Sequence, residues 1–288
     1  MSSELREERK SIAPDESAHE KLARDQPLQE AQKSYHTVLE QHLQQAQDEI
    51  ERPAGGLFLS SLSAGLDIGF GPLLMAVVAT HAAGEVSSLT KELLVSAAYT
   101  VGFVLVVVGR SALFTEQTTS AVLPVLARRA TVGQLLRLWT IVLIGNMIGC
   151  TVIAGVISVL GPELGVIESS AVAEIAGKLL APAWWVMLLS AVAAGWLMGL
   201  LAWLVVAARD TISQIAIVVL TTFVIGICGL HHSIAGTIEV LLAVFMAAGP
   251  TLGDYGVFMV WAVLGNALGG AIFVAALKFG HVRSSVSA

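Results

Sequence analysis

The sequence is short of what marks a soluble enzyme. Only 13% of its 288 residues are charged, against 55% hydrophobic, and the mean hydropathy is +0.77. That balance excludes an ordinary soluble domain and describes a protein of the bilayer. There is no basic tract, so nothing points to nucleic acid. The two cysteines, Cys150 and Cys228, both sit in apolar stretches. They read as small buried hydrophobes rather than a disulfide or metal pair. No paired carboxylates and no nucleophile-base pair stand out. A metal set built on His231, His232 and Glu239 lacks further ligands at persuasive spacing. The chain is therefore read as no enzyme, with no catalytic residue, metal or cofactor. Its polar, acidic N-terminus is unlike a cleavable signal peptide.

Charge is unevenly placed. Residues 1 to 54 hold 12 acidic and 7 basic residues, leaving 10 and 9 for the rest of the chain. The net charge of -6 thus belongs mostly to a tail domain, residues 1–54. Within it, positions 29–51 are rich in helix formers, with Tyr35, Val38, Leu39, Leu43, Ala46 and Ile50 at three- and four-residue spacing. That spacing predicts an amphipathic helix. Pro53 and Gly55-Gly56 separate it from a transmembrane domain, residues 55–288.

Six apolar segments follow, near 57–83, 94–126, 134–160, 183–208, 212–247 and 254–280. Each is long enough for a crossing of roughly 20 residues, and the second and fifth are longer because a polar break interrupts them. Arg128, Arg129, Arg137, Arg209, Lys278 and Arg283 fall on one side of such an array. Lys91 and Lys178 fall on the other, among several acids. A positive-inside bias then places both termini in the cytoplasm. Gly145-Asn146 recurs as Gly265-Asn266, and Gly109 recurs as Gly229, at a constant offset. The expectation is an all-α polytopic membrane protein of six transmembrane helices in a three-plus-three inverted repeat, with the second and fifth helices broken, which is a common architecture for a midplane substrate site.

Backbone that leaves helical geometry inside a membrane is tolerated only where protein or water satisfies it. The first break reads Gly109-Arg110-Ser111-Ala112-Leu113-Phe114-Thr115-Glu116. Thr115 is either a donor to a passing anion or an ordinary cap. Arg110 either attracts anions or pairs with Glu116, Asp67 or Glu239. The second break is Gly229-Leu230-His231-His232-Ser233. A histidine can donate a hydrogen bond when neutral and attract an anion when charged, which suits a gate or proton relay; the alternative is a pair of buried, hydrogen-bonded rings. Asn146 and Asn266 either line a pore or bond to the backbone of a neighbouring broken helix. Tyr99, Phe103 and Ile225 are candidates for apolar constrictions.

At these residues the chain resembles the formate/nitrite transporter family, from about Leu57 to Lys278. The words that carry the likeness are Leu113-Phe114-Thr115, Gly145-Asn146, the break from Gly229 to His232, and Gly265-Asn266. The resemblance implies an aquaporin-like protomer, assembled as a homo-pentamer in the bacterial inner membrane, passing formate, nitrite or hydrosulfide. It implies a pathway that includes Leu113, Phe114, Thr115, His232, Phe103 and Ile225, beside the Arg110, His231, Asn146 and Asn266 singled out above. The chain departs from the family pattern where His231 replaces a glutamate, Gly236 and Gly195 replace asparagines, and Ala112 replaces an acid. The expected function is passive or proton-coupled passage of a small monovalent anion. The competing expectations are a channel for a neutral small solute, against which both breaks lack asparagine-proline-alanine, and a non-transporting membrane scaffold.

Overall fold

The computed structural model describes residues 33–286, with side chains through residue 281. Expectations for residues 1–32 lie outside that range. A compact unit begins at Tyr35, and the described residues form helices joined by short turns.

The amphipathic helix α1 (Tyr35–Glu51) buries Val38, Leu39, His42, Leu43, Ala46 and Ile50, while Tyr35 is exposed. It is followed by α2 (Ala54–Asp67), α3 (Phe70–His81), α4 (Ser88–Val108), α5 (Phe114–Ser120) and α6 (Val122–Leu126). The longest helix, α7 (Val132–Glu163), leads to α8 (Ser169–Leu180), α9 (Trp184–Ala207), α10 (Thr211–Ile227), α11 (Ser233–Phe245) and α12 (Leu252–Leu268). A π-helical stretch, Gly269–Ala276, then joins α12 to α13 (Leu277–Val286). Many starts are written in the sequence. Ser87 accepts the Thr90 N–H ahead of α4, Asp210 accepts the Ser213 N–H ahead of α10, and capping boxes at Thr131–Gln134 and Thr251–Asp254 open α7 and α12.

The expectation of six crossings is corrected. Among the described residues, 5 helical stretches are long and apolar enough to cross a membrane: Ala54–His81, Ser88–Val108, Val132–Glu163, Trp184–Ala207 and Leu252–His281. The expected second broken helix contains a full-length span, Ser88–Val108, with α5 and α6 as short separate pieces after it. The expected fifth segment is two shorter apolar helices, α10 and α11. At 17 residues α10 measures roughly 25 Å, less than a hydrocarbon core of about 30 Å. The sixth crossing in that count was the fifth segment, broken at Gly229–His232, whose two helices are each too short to be among the 5. A three-plus-three inverted repeat needs six equivalent crossings, so that arrangement falls with the count, and the fold gives no indication of an aquaporin-like protomer.

The packing is close where two small-residue helices meet. Helix α2 lies along α7, and α9 lies along α12. A side chain added at Gly65 would land on the Asn146 carbonyl, and one at Gly195 on the Asn266 carbonyl. These contacts press the two asparagine-bearing helices against their partners, as small residues do inside membranes. Outward faces are apolar, with Leu59, Val159, Leu189 and Leu220 all exposed. Trp184 stacks near Trp261 and Trp196 on Phe273 along that outer surface, whereas Trp203 is buried beside His42.

Candidate functional site

Both breaks are built the same way. Helix α4 ends with Arg110 N–H donating to the Val107 carbonyl and Ser111 N–H to the Val106 carbonyl. Helix α10 ends with Gly229 N–H on the Gly226 carbonyl and Leu230 N–H on the Ile225 carbonyl. Each is a Schellman closure, which needs one residue in the left-handed region. At the second break that residue is Gly229 (φ 60°), but at the first it is Arg110 (φ 57°), while Gly109 stays right-handed. A left-handed L-residue costs on the order of 1 kcal/mol.

Asparagine then clamps each turn. The Asn146 side-chain oxygen accepts the Phe114 N–H (2.8 Å), and its amide donates to the carbonyls of Ser61 (2.7 Å) and Ala112 (2.9 Å). The Asn266 oxygen accepts the Ser233 N–H (2.8 Å), and its amide donates to the carbonyls of Ala191 (2.8 Å) and His231 (2.9 Å). Both amides are buried, and each has both N–H donors on backbone carbonyls. The Phe114 and Ser233 N–H groups and the Ala112 and His231 carbonyls, freed by the breaks, are thereby satisfied by protein.

The clamps bring Thr115 and His232 together. Thr115 Oγ1 lies 2.8 Å from His232 Nε2, and both residues are buried. His232 is also the cap of α11, where its Nδ1 accepts the Ala235 N–H at 3.2 Å. An accepting Nδ1 carries a lone pair, so in the neutral ring the proton sits on Nε2 and is donated to Thr115 Oγ1. The threonine hydroxyl hydrogen then remains available to a further acceptor. Phe103 meets the His232 ring edge-on at 5.0 Å, and Tyr99 packs on Phe103 at 4.9 Å. Ile225 and Leu113 are fully buried, and Phe114 packs edge-on to Trp139.

Other expected site residues lie apart from this pair. Arg110 is exposed and forms no ion pair among the described residues, so it is not the partner of Glu116, Asp67 or Glu239. Asp67 instead accepts from Ser63 at 3.0 Å. His231 points away from Thr115. Its Nδ1 lies 2.8 Å from Ser190 Oγ, its Nε2 2.9 Å from the Leu179 carbonyl, and its ring packs near Phe258. Gly236 lies under the same Phe258, whose ring fills the space a side chain there would need.

A cavity of about 260 Å³ opens beside Gly229. Its rim carries Lys91 bonded to Glu174 (2.6 Å) and Lys178 bonded to Glu92 (3.2 Å) and Glu174 (3.4 Å). The Lys91 ammonium holds the Glu174 carboxyl below the usual carboxylate range, with Lys178 adding to the effect. Cys228 is exposed in the cavity wall, and Glu239, 7% exposed, also lines it. The place of Glu239 in a cavity was missed from sequence, although an acid inside the apolar run Thr237-Ile238-Glu239-Val240-Leu241 was the available signal.

Polar, non-helical turns clamped at the heart of an apolar helical fold, with a charged cavity leading toward them, define a membrane transport protein. A family model described as formate/nitrite transporter matches residues 36–280. The chain belongs to that family, whose members are transporters and not enzymes. It is 29% identical over 253 residues to the inner membrane protein YfdC of Escherichia coli K12, covering 87% of this chain and 80% of that one. It is 31% identical over 245 residues to a probable formate transporter of Methanothermobacter thermautotrophicus, covering 78% and 88% respectively. A solved structure described as a pentameric formate channel with formate bound shares the fold, with a TM-score of 0.66 at 24% identity, covering 80% of this chain and 98% of that one.

Proposed function

We propose that the chain, a transporter of small monovalent anions of the formate/nitrite class, passes its cargo at Thr115 and His232, between the apolar side chains of Phe103 and Ile225. The observation that carries this reading is the buried 2.8 Å contact between Thr115 Oγ1 and His232 Nε2, flanked by Phe103. His232 donates to Thr115, which turns the threonine hydroxyl toward the anion as a donor. An unpaired anion is costly in dry surroundings, so a donor at this depth, or a proton delivered to the anion, lowers the barrier. Leu113 and Phe114 hold the turn that presents Thr115. Asn146, Asn266 and His231 act as braces of the backbone on either side.

The setting we propose is the bacterial inner membrane, where the YfdC relative is named as residing. Loop arginines favour a cytoplasmic location for both termini, with residues 1–54 as a cytoplasmic tail and 55–288 as the transport domain. A homo-pentamer agrees with the exposed apolar helix faces and with the pentameric channel of like fold.

The test is flux of formate and nitrite into liposomes containing the purified full chain. We expect His232→Ala to lower protein-dependent flux at least about tenfold, the loss of a single strong donor at a rate-limiting barrier. Absence of wild-type flux for formate, nitrite, acetate, lactate and hydrosulfide under an imposed pH gradient would sink the reading.

A further inference from the structure

The cavity beside Gly229 has an unusual charge balance for the entrance of an anion pathway. It is lined by two lysines, Lys91 and Lys178, and three carboxylates, Glu92, Glu174 and Glu239. Both lysines are engaged by Glu92 and Glu174 at the rim. Glu239 has no hydrogen bond or ion pair among the described residues and is nearly buried. With every group ionised, the cavity is one charge negative, and the uncompensated charge is Glu239.

Its position relative to the constriction gives that charge a consequence. Glu239 shares the cavity wall with Gly226, where an added side chain would meet the Tyr99 ring; Tyr99 packs on Phe103, and Phe103 packs on His232. The cavity that holds the carboxyl group therefore abuts the aromatic pair guarding Thr115. The ionisable groups around it are Lys91, Glu92 and Tyr99 from α4, Glu174 and Lys178 from α8, and Cys228 after α10. Helix α3 contributes only Met75 and Ala79 to the cavity. Cys150 of α7 and Tyr255 of α12 also pack toward α11, but they donate to the Ile234 carbonyl and the Met147 sulfur. Ionised, Glu239 repels an entering anion at short range in a poorly solvated place. Protonated, it is a hydrogen-bond donor.

We propose that Glu239 is a specificity-determining residue of the pathway, admitting an anion only together with a proton. The Glu239 carboxyl donates its O–H to the entering anion and transfers the proton to it. One O–H bond breaks at Glu239 Oε as another forms on the anion, and the resulting neutral acid moves past Tyr99 and Phe103. The carboxylate left behind regains a proton from cavity water. Weak-acid anions are accepted because they can take that proton; chloride and other anions of strong acids are refused. This inference rests on the proposed pathway through Thr115 and His232.

Two measurements on the reconstituted full chain test it, with formate as the probe and transport through empty liposomes subtracted. In wild type, flux rises about tenfold per unit of external acidification over the rising part of the profile, the slope for one required proton. In Glu239→Gln the neutral side chain removes both the repulsion and the proton, so the profile flattens to about onefold per unit. Glu239→Asp restores the slope. The second measurement, independent of flux, is infrared difference spectroscopy on adding formate: a carboxyl band changes in wild type and is missing in Glu239→Gln. Unchanged pH slope in a folded Glu239→Gln protein overturns the inference and leaves the proposed function standing. No wild-type flux overturns the proposed function and the inference with it, whereas wild-type flux with no carboxyl band responding to formate overturns the inference alone. A formate response of the band that persists in Glu239→Gln overturns the assignment to this residue.

Discussion

The two breaks have one backbone plan and opposite chemistry. Each closes a helix with a Schellman turn, runs through an extended residue and begins a new helix held by an asparagine side chain. The extended residues are Leu113 (φ -102°, ψ 129°) and His232 (φ -104°, ψ 121°), alike in backbone and unlike in side chain. Leu113 offers its helix no cap, whereas His232 caps α11 through Nδ1 and reaches Thr115 through Nε2. Beyond the turns the difference widens. Helix α5 ends at Ser120, which is held by His42 of α1 at 2.8 Å; helix α11 carries Glu239 into a charged cavity. The comparison teaches that the frame and the chemistry are separable: asparagines make the turn possible in lipid, and the residue at the cap position decides what the turn can do.

Removing the shared part should have the largest effect. Asn146→Ala and Asn266→Ala each strand one backbone N–H and one turn carbonyl in a buried place, and at about 1–3 kcal/mol per unsatisfied group the loss is several kcal/mol. Thermal unfolding in detergent should show comparable losses for the two variants; a mild effect at one only would break the parallel.

A smaller, pH-dependent loss should be confined to the first break. His42 is buried against Ser120 and Trp203, and burial pushes its pKa down to about 4 from 6.5. The folded form holds fewer protons than the undocked one, so docking of α1 is fully stable above the unfolded pKa. It weakens as pH falls from about 6.5 toward about 4, by about 3 kcal/mol in all. Hydrogen exchange across residues 35–51 should quicken on acidification, and His42→Gln should remove most of that response.

The smallest effect is at the left-handed position. Arg110→Gly makes the first turn like the second and should stabilise the protein by roughly 0.5–1 kcal/mol, since glycine adopts that backbone freely but orders at some entropic cost. Equal or lower melting temperature would mean the exposed guanidinium contributes something that geometry does not reveal.

The places of the breaks were legible because glycine followed by polar residues inside an apolar run has few other meanings. Thr115 and His232 were legible for the same reason, and the structure brings them into contact. Which residue turns the chain was not: Gly109 was the natural candidate, yet the closure falls one residue later, on Arg110, because hydrogen-bond register decides it. The crossing count failed where α10 and α11 looked like one apolar segment. The sites at Gly195 and Gly236 looked like losses of polar lining, but their space is taken by the Asn266 backbone and the Phe258 ring, which only packing can show. His231 beside His232 looked like a functional pair, but Ser190 and the Leu179 carbonyl hold it elsewhere.

Of the two thiols in the chain, Cys150 is enclosed and Cys228 is exposed in the cavity wall. On the proposed pathway, the native molecule carries a built-in reporter at the mouth of that cavity. A bulky thiol-reactive dye is expected to attach there without any engineered cysteine and, by its size, to close the passage.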